Sequence, residues 1–429
     1  AGFEPVFLRD HFVNGDLDTA LAYFEKANLH GLSAGLFQAD KIRGLLTKLK
    51  DKKAIKNTAE ACRDMAKLEL MVANSMINYS NALQFGVINP RVIYARYYTK
   101  TLHPDSLTMK KALYAHSFKQ YLDSIQPKSP QYLTLQKALA DSIKAKGIGK
   151  AETQRILIVN LERLRWKNKP TADRYVMVNI PAYELDVWDH GRSILNMKVC
   201  VGEGRNKDQA NSLVEYADDD KIDRPFSRET PQLNSMIYEA QVNPVWNIPK
   251  SIASKEIIKE AAEDPYYLSN KNINVYKDGK LIEDTETIDW SDPDAGTSYT
   301  FKQQPGADNA LGRVKFLFPN KSSVYLHDTP AKNAFNSDMR AVSHGCVRLE
   351  KPLDFAHALF GDGSKYQLIA KYMHEDNSEP TDIALPKKMP VYITYVTCWV
   401  DSNGTIQYRP DVYGLDIVLY GHLQKLMNA

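Results

Sequence analysis

The sequence has no long apolar run, little excess charge and few cysteines. No stretch of about 18 apolar residues occurs in its 429 residues, so no segment predicts a membrane-spanning helix. The 55 basic and 52 acidic residues leave a net charge of +3, which argues against a dedicated nucleic-acid binder with a basic face. With 43% hydrophobic and 25% charged residues, the composition is that of a globular protein with two or three domains.

The four cysteines are Cys62, Cys200, Cys346 and Cys398, too few for a disulfide framework in a chain of this length. Cys200 and Cys398 lie in strand-like runs and could pair, but we favour buried, unpaired thiols. The chain opens with neither an initiator methionine nor a basic-then-apolar leader, so we expect a mature or trimmed chain whose sequence does not itself show export.

Residues 1 to about 170 predict a helical domain. In the clearest helix, apolar residues at steps of three and four from Ala61 to Leu83 place one face in a core, with Asn57 before them as a cap. Nothing in this half pairs a nucleophile with a base, which favours a structural role. Further helices are predicted near 16–28, 40–50, 107–125, 130–146 and 151–166.

From Asp173 onward the pattern changes to β-strands, with short runs rich in β-branched and aromatic residues at 175–180, 183–188 and 193–201 and with Asp189-His190-Gly191-Arg192 as the turn between the last two. Two insertions follow these strands. Residues 203–231 are polar and charged, which predicts a solvated loop. Residues 250–305 contain a helix-like stretch from Ser251 to Glu263 and could form a lid over a site; the alternative is a surface excursion.

The residues around Cys346 carry the strongest chemical signal. A thiol becomes a good nucleophile when a base takes its proton, and His327, 19 positions earlier, fits that role. His344 is expected to orient the loop. Gly345 allows a backbone conformation that points amides at an oxyanion, and Arg348 could clamp the loop or a substrate carboxylate. The motif reads Ser343-His344-Gly345-Cys346-Val347-Arg348.

Two other interpretations of these residues are open. Cys346 could be one more buried thiol among core histidines, although so many reactive residue types close together favour a functional site. His327, His344 and Cys346 could also bind zinc, because imidazole and thiolate are zinc ligands, but no fourth ligand lies at short spacing. We therefore predict neither a metal nor another cofactor.

The motif and the residues before it resemble the signature of the L,D-transpeptidases, the YkuD-like cysteine enzymes that cross-link bacterial peptidoglycan. The similarity is closest to the large periplasmic members of Gram-negative bacteria. It is carried by Tyr325-Leu326-His327-Asp328-Thr329-Pro330, Phe335, Arg340-Ala341 and the Cys346 motif.

The resemblance implies an α+β fold: a helical scaffold domain over 1–170, then a mixed, β-sandwich-like catalytic domain over 171–429. In the second domain it implies a charged insertion at about 203–231 and a capping lid at about 250–305. Relatives often carry a peptidoglycan-binding module, for which the short connection at 131–149 leaves no room. Further strands are expected at 235–243, 313–318, 323–327, 389–399 and 404–408.

The resemblance also implies an activity. Cys346 would attack a donor stem tetrapeptide after its diaminopimelate, release D-alanine, and pass the acyl group to the side-chain amine of a second stem, forming a 3-3 cross-link. The expected location is the periplasm, after removal of a signal peptide, and carbapenem β-lactams are expected covalent inhibitors. Substrate contacts are expected from Arg348, Tyr325, Ser343, Trp246 and Asn243.

Alternative functions share the same thiol chemistry. Water as acceptor would give an L,D-carboxypeptidase or amidase, a free D-amino acid would give exchange, and a lipoprotein would give attachment to the wall. A non-catalytic wall-binding protein is a third class, against which the intact Cys, His and Arg set argues.

Overall fold

The computed structural model describes Pro5 and residues 7–204, 228–375 and 379–428. Most of the predicted charged insertion at 203–231 lies outside these described residues. The described chain divides into two compact units. One contains the residues up to Lys169 together with 396–428, and the other runs from Pro170 to Tyr395.

The helices are α1 Phe7–His11, α2 Asp16–Glu25, α3 Ala39–Lys50, α4 Thr58–Phe85, α5 Pro90–Ile93, α6 Ser106–Leu113, α7 Phe118–Ile125, α8 Pro130–Ala140, α9 Lys150–Arg165, α10 Lys250–Ile252, α11 Ile258–Glu263, α12 Tyr267–Asn270, α13 Ala295–Ser298, α14 Pro352–Phe360, α15 Ser364–His374 and α16 Leu415–Met427. The strands are β1 Arg174–Asn179, β2 Glu184–Asp189, β3 Arg192–Gly202, β4 Leu233–Val242, β5 Trp246–Ile248, β6 Ile273–Lys277, β7 Lys280–Ile282, β8 Thr300–Gln303, β9 Val314–Leu317, β10 Leu326–His327, β11 Ala341–Ser343, β12 Val347–Leu349, β13 Thr381–Thr394, β14 Cys398–Val400 and β15 Ile406–Tyr408. This mixture of helices and strands is the expected α+β class. No helix among the described residues combines the length and apolar character needed to cross a membrane.

The longest helix, α4, organises the helical unit. It begins where the Asn57 side chain accepts a hydrogen bond from the Glu60 backbone N–H at 2.9 Å, which satisfies one of the free donors of the first turn. The predicted apolar stripe is buried from Leu68 onward, whereas Met65 is 39% exposed. The predicted helix at 107–125 is two helices, α6 and α7, the second capped by Ser117.

The C-terminal residues differ from the expectation that the catalytic domain runs to 429, because 396–428 belong to the helical unit. Cys398 of β14 packs in an apolar cluster with α8 and α9. Asp416 of α16 forms a buried ion pair with Arg163 of α9 and accepts a 2.7 Å hydrogen bond from the Thr397 hydroxyl. A buried ion pair is stable only when such additional hydrogen bonds are present. The ion pair and the Thr397 hydrogen bond together hold the C-terminal segment on α9.

The other unit is built on a nine-stranded mixed sheet with the order β11-β3-β12-β10-β9-β4-β13-β1-β2. The first part of β3 pairs with β2 and its last residues pair with β12, so this long strand joins the two ends of the sheet. The predicted turn before β3 has positive φ at His190 (48°) and Gly191 (78°), as a two-residue hairpin turn requires.

One face of this sheet is core and the other carries polar side chains. Phe316, Leu326 and Val347 are fully buried, and the Phe316 ring packs edge-on against Phe355 of α14 at 4.8 Å between centroids. Because strand side chains alternate, the residues next to them point to the opposite face.

The predicted lid region folds around its own apolar core, with Phe301 and Val275 among its buried members. Helical structure is continuous from Lys250 to Glu263, but Ala253–Ile257 form a π-helical turn. Strands β5, β8, β6 and β7 form a four-stranded sheet, which the sequence analysis did not predict. Gly296 packs so closely on the π-turn that an added Cβ would lie 2.5 Å from the Ser254 Cα.

Candidate active site

Cys346 lies in a turn between β11 and β12 whose shape is fixed by hydrogen bonds. The Ser343 hydroxyl donates to the Cys346 carbonyl at 2.6 Å and accepts from the Gly345 N–H at 3.1 Å. The φ of Gly345 is +116°, a conformation that L side chains rarely adopt, so a glycine is required here. The buried Thr230 hydroxyl donates to the Gly345 carbonyl at 2.8 Å and accepts from the Gly202 N–H at 2.8 Å.

The thiol of Cys346 is held as a neutral group. Burial raises its pKa to about 11, although hydrogen bonds from Tyr325 and the charges of Arg348 and Lys315 act in the opposite direction. Burial also raises the pKa of Tyr325, as does the neighbouring Cys346, so the phenol stays protonated and can donate to sulfur.

The imidazole of His327 is also neutral. Its side chain is buried at 4% exposure, and burial together with the charge of Arg348 lowers its pKa to about 4. Nδ1 hydrogen-bonds to the Asp328 backbone carbonyl. Because a carbonyl can only accept, Nδ1 carries the proton, which leaves Nε2 unprotonated in the neutral ring.

Strand register brings these groups to the polar face of the sheet. Gln241, Lys315, His327 and Arg348 are paired in sequence across β4, β9, β10 and β12, and paired residues project to the same face. Two positions before His327, the Tyr325 ring lies edge-on to the imidazole at 5.7 Å between centroids. The tyrosine therefore contacts both the thiol and the histidine, while the described His327 and Cys346 side chains share no hydrogen bond.

His344 points to the predicted lid. Its Nε2 donates to Glu256 of the π-turn at 2.7 Å, and Arg228 donates to the same carboxylate oxygen at 2.6 Å and to Glu203 at 3.1 Å. Burial alone would raise the pKa of Glu256, but the His344 hydrogen bond and the nearby charges outweigh it and hold that pKa below its usual value. The contact joins residues 343–347, the turn that holds Cys346 and is called the catalytic turn below, to residues 250–305. An orienting role for His344 stays a prediction.

Two expected substrate contacts are engaged elsewhere in the fold. Asn243 is 1% exposed, and its side-chain nitrogen donates to the Tyr372 carbonyl at 3.4 Å, so it lies below the surface. The Ser343 hydroxyl is used within the catalytic turn. Trp246 is half-buried at the start of β5, where it packs against the apolar core of the lid region. Asn243 and Ser343 are thus buried and hydrogen-bonded within the fold, and their expected contacts with a substrate stay predictions.

Arg348 is half-buried beside the histidine. Within the part of the chain that the structure describes, its guanidinium has no hydrogen-bond acceptor, so its fork can reach a ligand. The same described residues contain no cluster of three or more His, Cys, Asp or Glu side chains that could hold a metal ion. His344 is engaged by Glu256, which argues against the zinc interpretation.

Sequence reasoning missed three residues that touch this site. Thr230 and Glu256 are 115 and 88 positions from their partners in the catalytic turn, so no local pattern could identify them. Lys315 had a weak signal, because a lysine interrupts an apolar run at a position that alternation assigns to the face of His327.

Comparison with known proteins identifies the domains that the chain contains. A model of the YkuD L,D-transpeptidase catalytic domain matches residues 173–364, which include Cys346 and His327, and a model of a scaffold domain matches residues 1–139. The chain contains an L,D-transpeptidase catalytic domain. This domain follows a helical scaffold, as the resemblance implied.

Two similar proteins differ in their degree of similarity to this chain. A Haemophilus influenzae protein named "Putative L,D-transpeptidase" is 32% identical over 260 residues, which are 61% of this chain and 48% of that protein. The chain therefore spans about half the length of this curated relative. A solved L,D-transpeptidase from Mycobacterium smegmatis aligns over 52% of this chain and 59% of its own, with 13% identity and a TM-score of 0.23, and carries no argument about the fold.

Proposed function

We propose that this chain is a cysteine L,D-transpeptidase that joins peptidoglycan stem peptides through an acyl-enzyme on Cys346. The observation that carries the proposal is the contact of Tyr325 with both Cys346 and His327 on one face of the sheet. A nucleophile, a hydrogen-bond donor to it and an unprotonated imidazole nitrogen are the parts that thiol acylation needs.

The resting site is a neutral pair. Burial raises the pKa of the thiol and lowers that of the imidazole, so the proton stays on sulfur until a substrate arrives. Nε2 of His327 then takes the thiol proton as sulfur attacks the carbonyl of the donor stem. The tetrahedral intermediate expels D-alanine, whose amine receives that proton, and a thioester remains.

The oxyanion of this intermediate needs a donor, and the backbone N–H of Cys346 is suitably placed. No hydrogen-bond acceptor meets this amide among the residues that the structure describes, whereas the Gly345 N–H is occupied by Ser343. We therefore assign the oxyanion contact to the Cys346 amide alone and not to the Gly345 amide. The Cys346 N–H donates to the carbonyl oxygen of the substrate when negative charge develops on it.

In the second step the side-chain amine of an acceptor stem attacks the thioester and forms the 3-3 cross-link. Water competes with that amine, so the acyl-enzyme must be shielded. We assign this shielding to residues 250–305, which the Glu256 contact to His344 holds against the catalytic turn. Because stem peptides lie outside the inner membrane, we place the protein in the periplasm, and carbapenems are proposed to acylate the same thiol.

Intact-mass measurement tests the proposal. Incubation with a stem tetrapeptide should add the mass of one tripeptide acyl group to the wild-type protein. The same adduct should form on Cys62→Ala, which keeps the catalytic thiol, but not on Cys346→Ala. An adduct on the last variant would refute the assignment. The ratio of cross-linked dimer to free tripeptide then separates the transpeptidase from a carboxypeptidase, because both share the acyl-enzyme.

A further inference from the structure

A cavity of about 400 Å³ lies between the polar face of the main sheet and the sheet of the lid region. Its lining combines amide and ammonium side chains with one aromatic ring. The residues that matter are Gln241 and Lys315 of the main sheet, Asn247 of β5, and Tyr276, Lys302 and Gln304 of the lid region.

Two ammonium groups line the cavity. The Lys302 Nζ lies 4.7 Å from the Tyr276 ring centroid and the Lys315 Nζ lies 5.6 Å from the Tyr325 centroid. Within the described residues neither lysine forms an ion pair or a hydrogen bond. Burial lowers the pKa of Lys315, whereas Asp382, Cys346 and Glu239 act in the opposite direction.

The charge of Asp382 acts on Lys315. Its carboxylate accepts a 2.5 Å hydrogen bond from the Gln241 side chain, which lines the cavity beside Lys315. Two ammonium groups at one cavity, with amide groups beside them, form a surface suited to an anion with planar oxygens.

The cavity adjoins the nucleophile. Lys315 is paired with His327 across β9 and β10, and its ammonium group lies over the same Tyr325 ring that contacts Cys346. An anion bound to Lys315 would therefore lie close to the tyrosine that contacts the reacting sulfur.

We propose that Lys302 and Lys315 form a subsite for a free carboxylate of a stem peptide, and this inference rests on the proposed transpeptidase function. The second centre of diaminopimelate carries an amine and a carboxylate on one carbon. Capture of that carboxylate places the rest of the residue beside Cys346, in the donor stem during acylation or in the acceptor stem during transfer. Both sources share the same chemistry, so separate arms of one experiment distinguish them.

The test compares stem peptides whose diaminopimelate carboxylate is free with peptides in which it is amidated. In one arm only the donor peptide is amidated, and in the other arm only the acceptor peptide is amidated. For the donor arm, kcat/KM of Cys346 acylation is measured by mass spectrometry; for the acceptor arm, the dimer-to-tripeptide ratio is measured. Amidation removes the charge and keeps the size. We expect a loss of about tenfold or more in one arm, typical of a charge-assisted hydrogen bond.

Variants connect that loss to the cavity. Lys302→Gln should abolish most of the discrimination between free and amidated peptide. Lys277→Gln is the matched control, because Lys277 also lies over a tyrosine ring in the lid sheet, 5.4 Å from the centroid of Tyr299, but does not line the cavity. Lys315→Gln should also reduce discrimination, on top of slower acylation from loss of its charge near the thiol.

The outcomes separate the two proposals. Acylation of Cys346 without discrimination in either arm, or discrimination that Lys302→Gln and Lys277→Gln leave equal, would overturn the carboxylate subsite alone. If no peptide acylates Cys346, the transpeptidase proposal fails and the subsite fails with it.

Discussion

Replacement of Tyr325 by phenylalanine should make the Cys346 thiol less reactive without opening the fold. The hydrogen bond from the Tyr325 hydroxyl stabilises the thiolate and therefore lowers the thiol pKa, which burial has raised to about 11, whereas the backbone hydrogen bond from Tyr325 remains in the variant. A hydrogen bond to a charged group contributes about 1.5–3 kcal/mol, and 1.36 kcal/mol corresponds to one pKa unit. Its loss should raise the thiol pKa by about one to two units and reduce the thiolate fraction about 10- to 100-fold at any pH below that pKa.

Alkylation by iodoacetamide measures this change, because the thiolate is the reacting form. Peptide-resolved mass spectrometry gives the rate at Cys346, while the exposed Cys62 in the same sample serves as an internal standard. The wild-type rate should rise about tenfold per pH unit across the accessible range below pH 11. Tyr372→Phe is the control for loss of a distant phenol. Equal Cys346 rates in wild type and Tyr325→Phe, with unchanged Cys62 rates, would refute the reasoning.

Three further predictions concern neighbouring residues. His327→Ala should lose at least about 100-fold in acylation rate, against a smaller loss for His344→Ala; the reverse order of rates would exchange their roles. Arg348→Lys should be acylated more slowly than the wild type if the guanidinium must make two hydrogen bonds to the substrate. A wild-type kcat/KM in this variant would show that only the positive charge at this position is needed. Glu256→Gln should shift products from dimer toward tripeptide. In the wild type the same shift is expected as the pH falls through the lowered Glu256 pKa, because protonation of the carboxylate removes its contact with His344. An unchanged ratio of dimer to tripeptide would show that this contact does not control the access of water.

Local patterns predicted the parts of the fold that depend on neighbouring residues. The helix cap at Asn57 and the hairpin turn at Gly191 follow from such patterns. Strand β13 was predicted to begin at 389, but it begins at Thr381 because a register shift between Ala384 and Met389 accommodates the proline and lysines between them.

The candidate site likewise has residues that the sequence predicts and residues that only the tertiary structure reveals. Residues of one motif, such as Gly345 and Cys346, were recognisable because their chemistry lies close together in the chain. Asn243 was assigned to a groove from the resemblance alone, whereas its burial depends on packing against α15. Tertiary contacts such as that of Glu256 to His344 join segments that no pattern of period two or 3.6 can relate.

The Thr230 hydroxyl, between Gly202 and Gly345, has a consequence for how activity is gained during folding. These three residues come from segments 28 and 115 positions apart, so the catalytic turn reaches its final shape only after long-range strand pairing is complete. Non-local pairing is slow because its chain-closure entropy is lost before the contacts form. Refolding should therefore recover helical circular dichroism earlier than it recovers acylation, and a partly folded chain would carry the cysteine without a working enzyme.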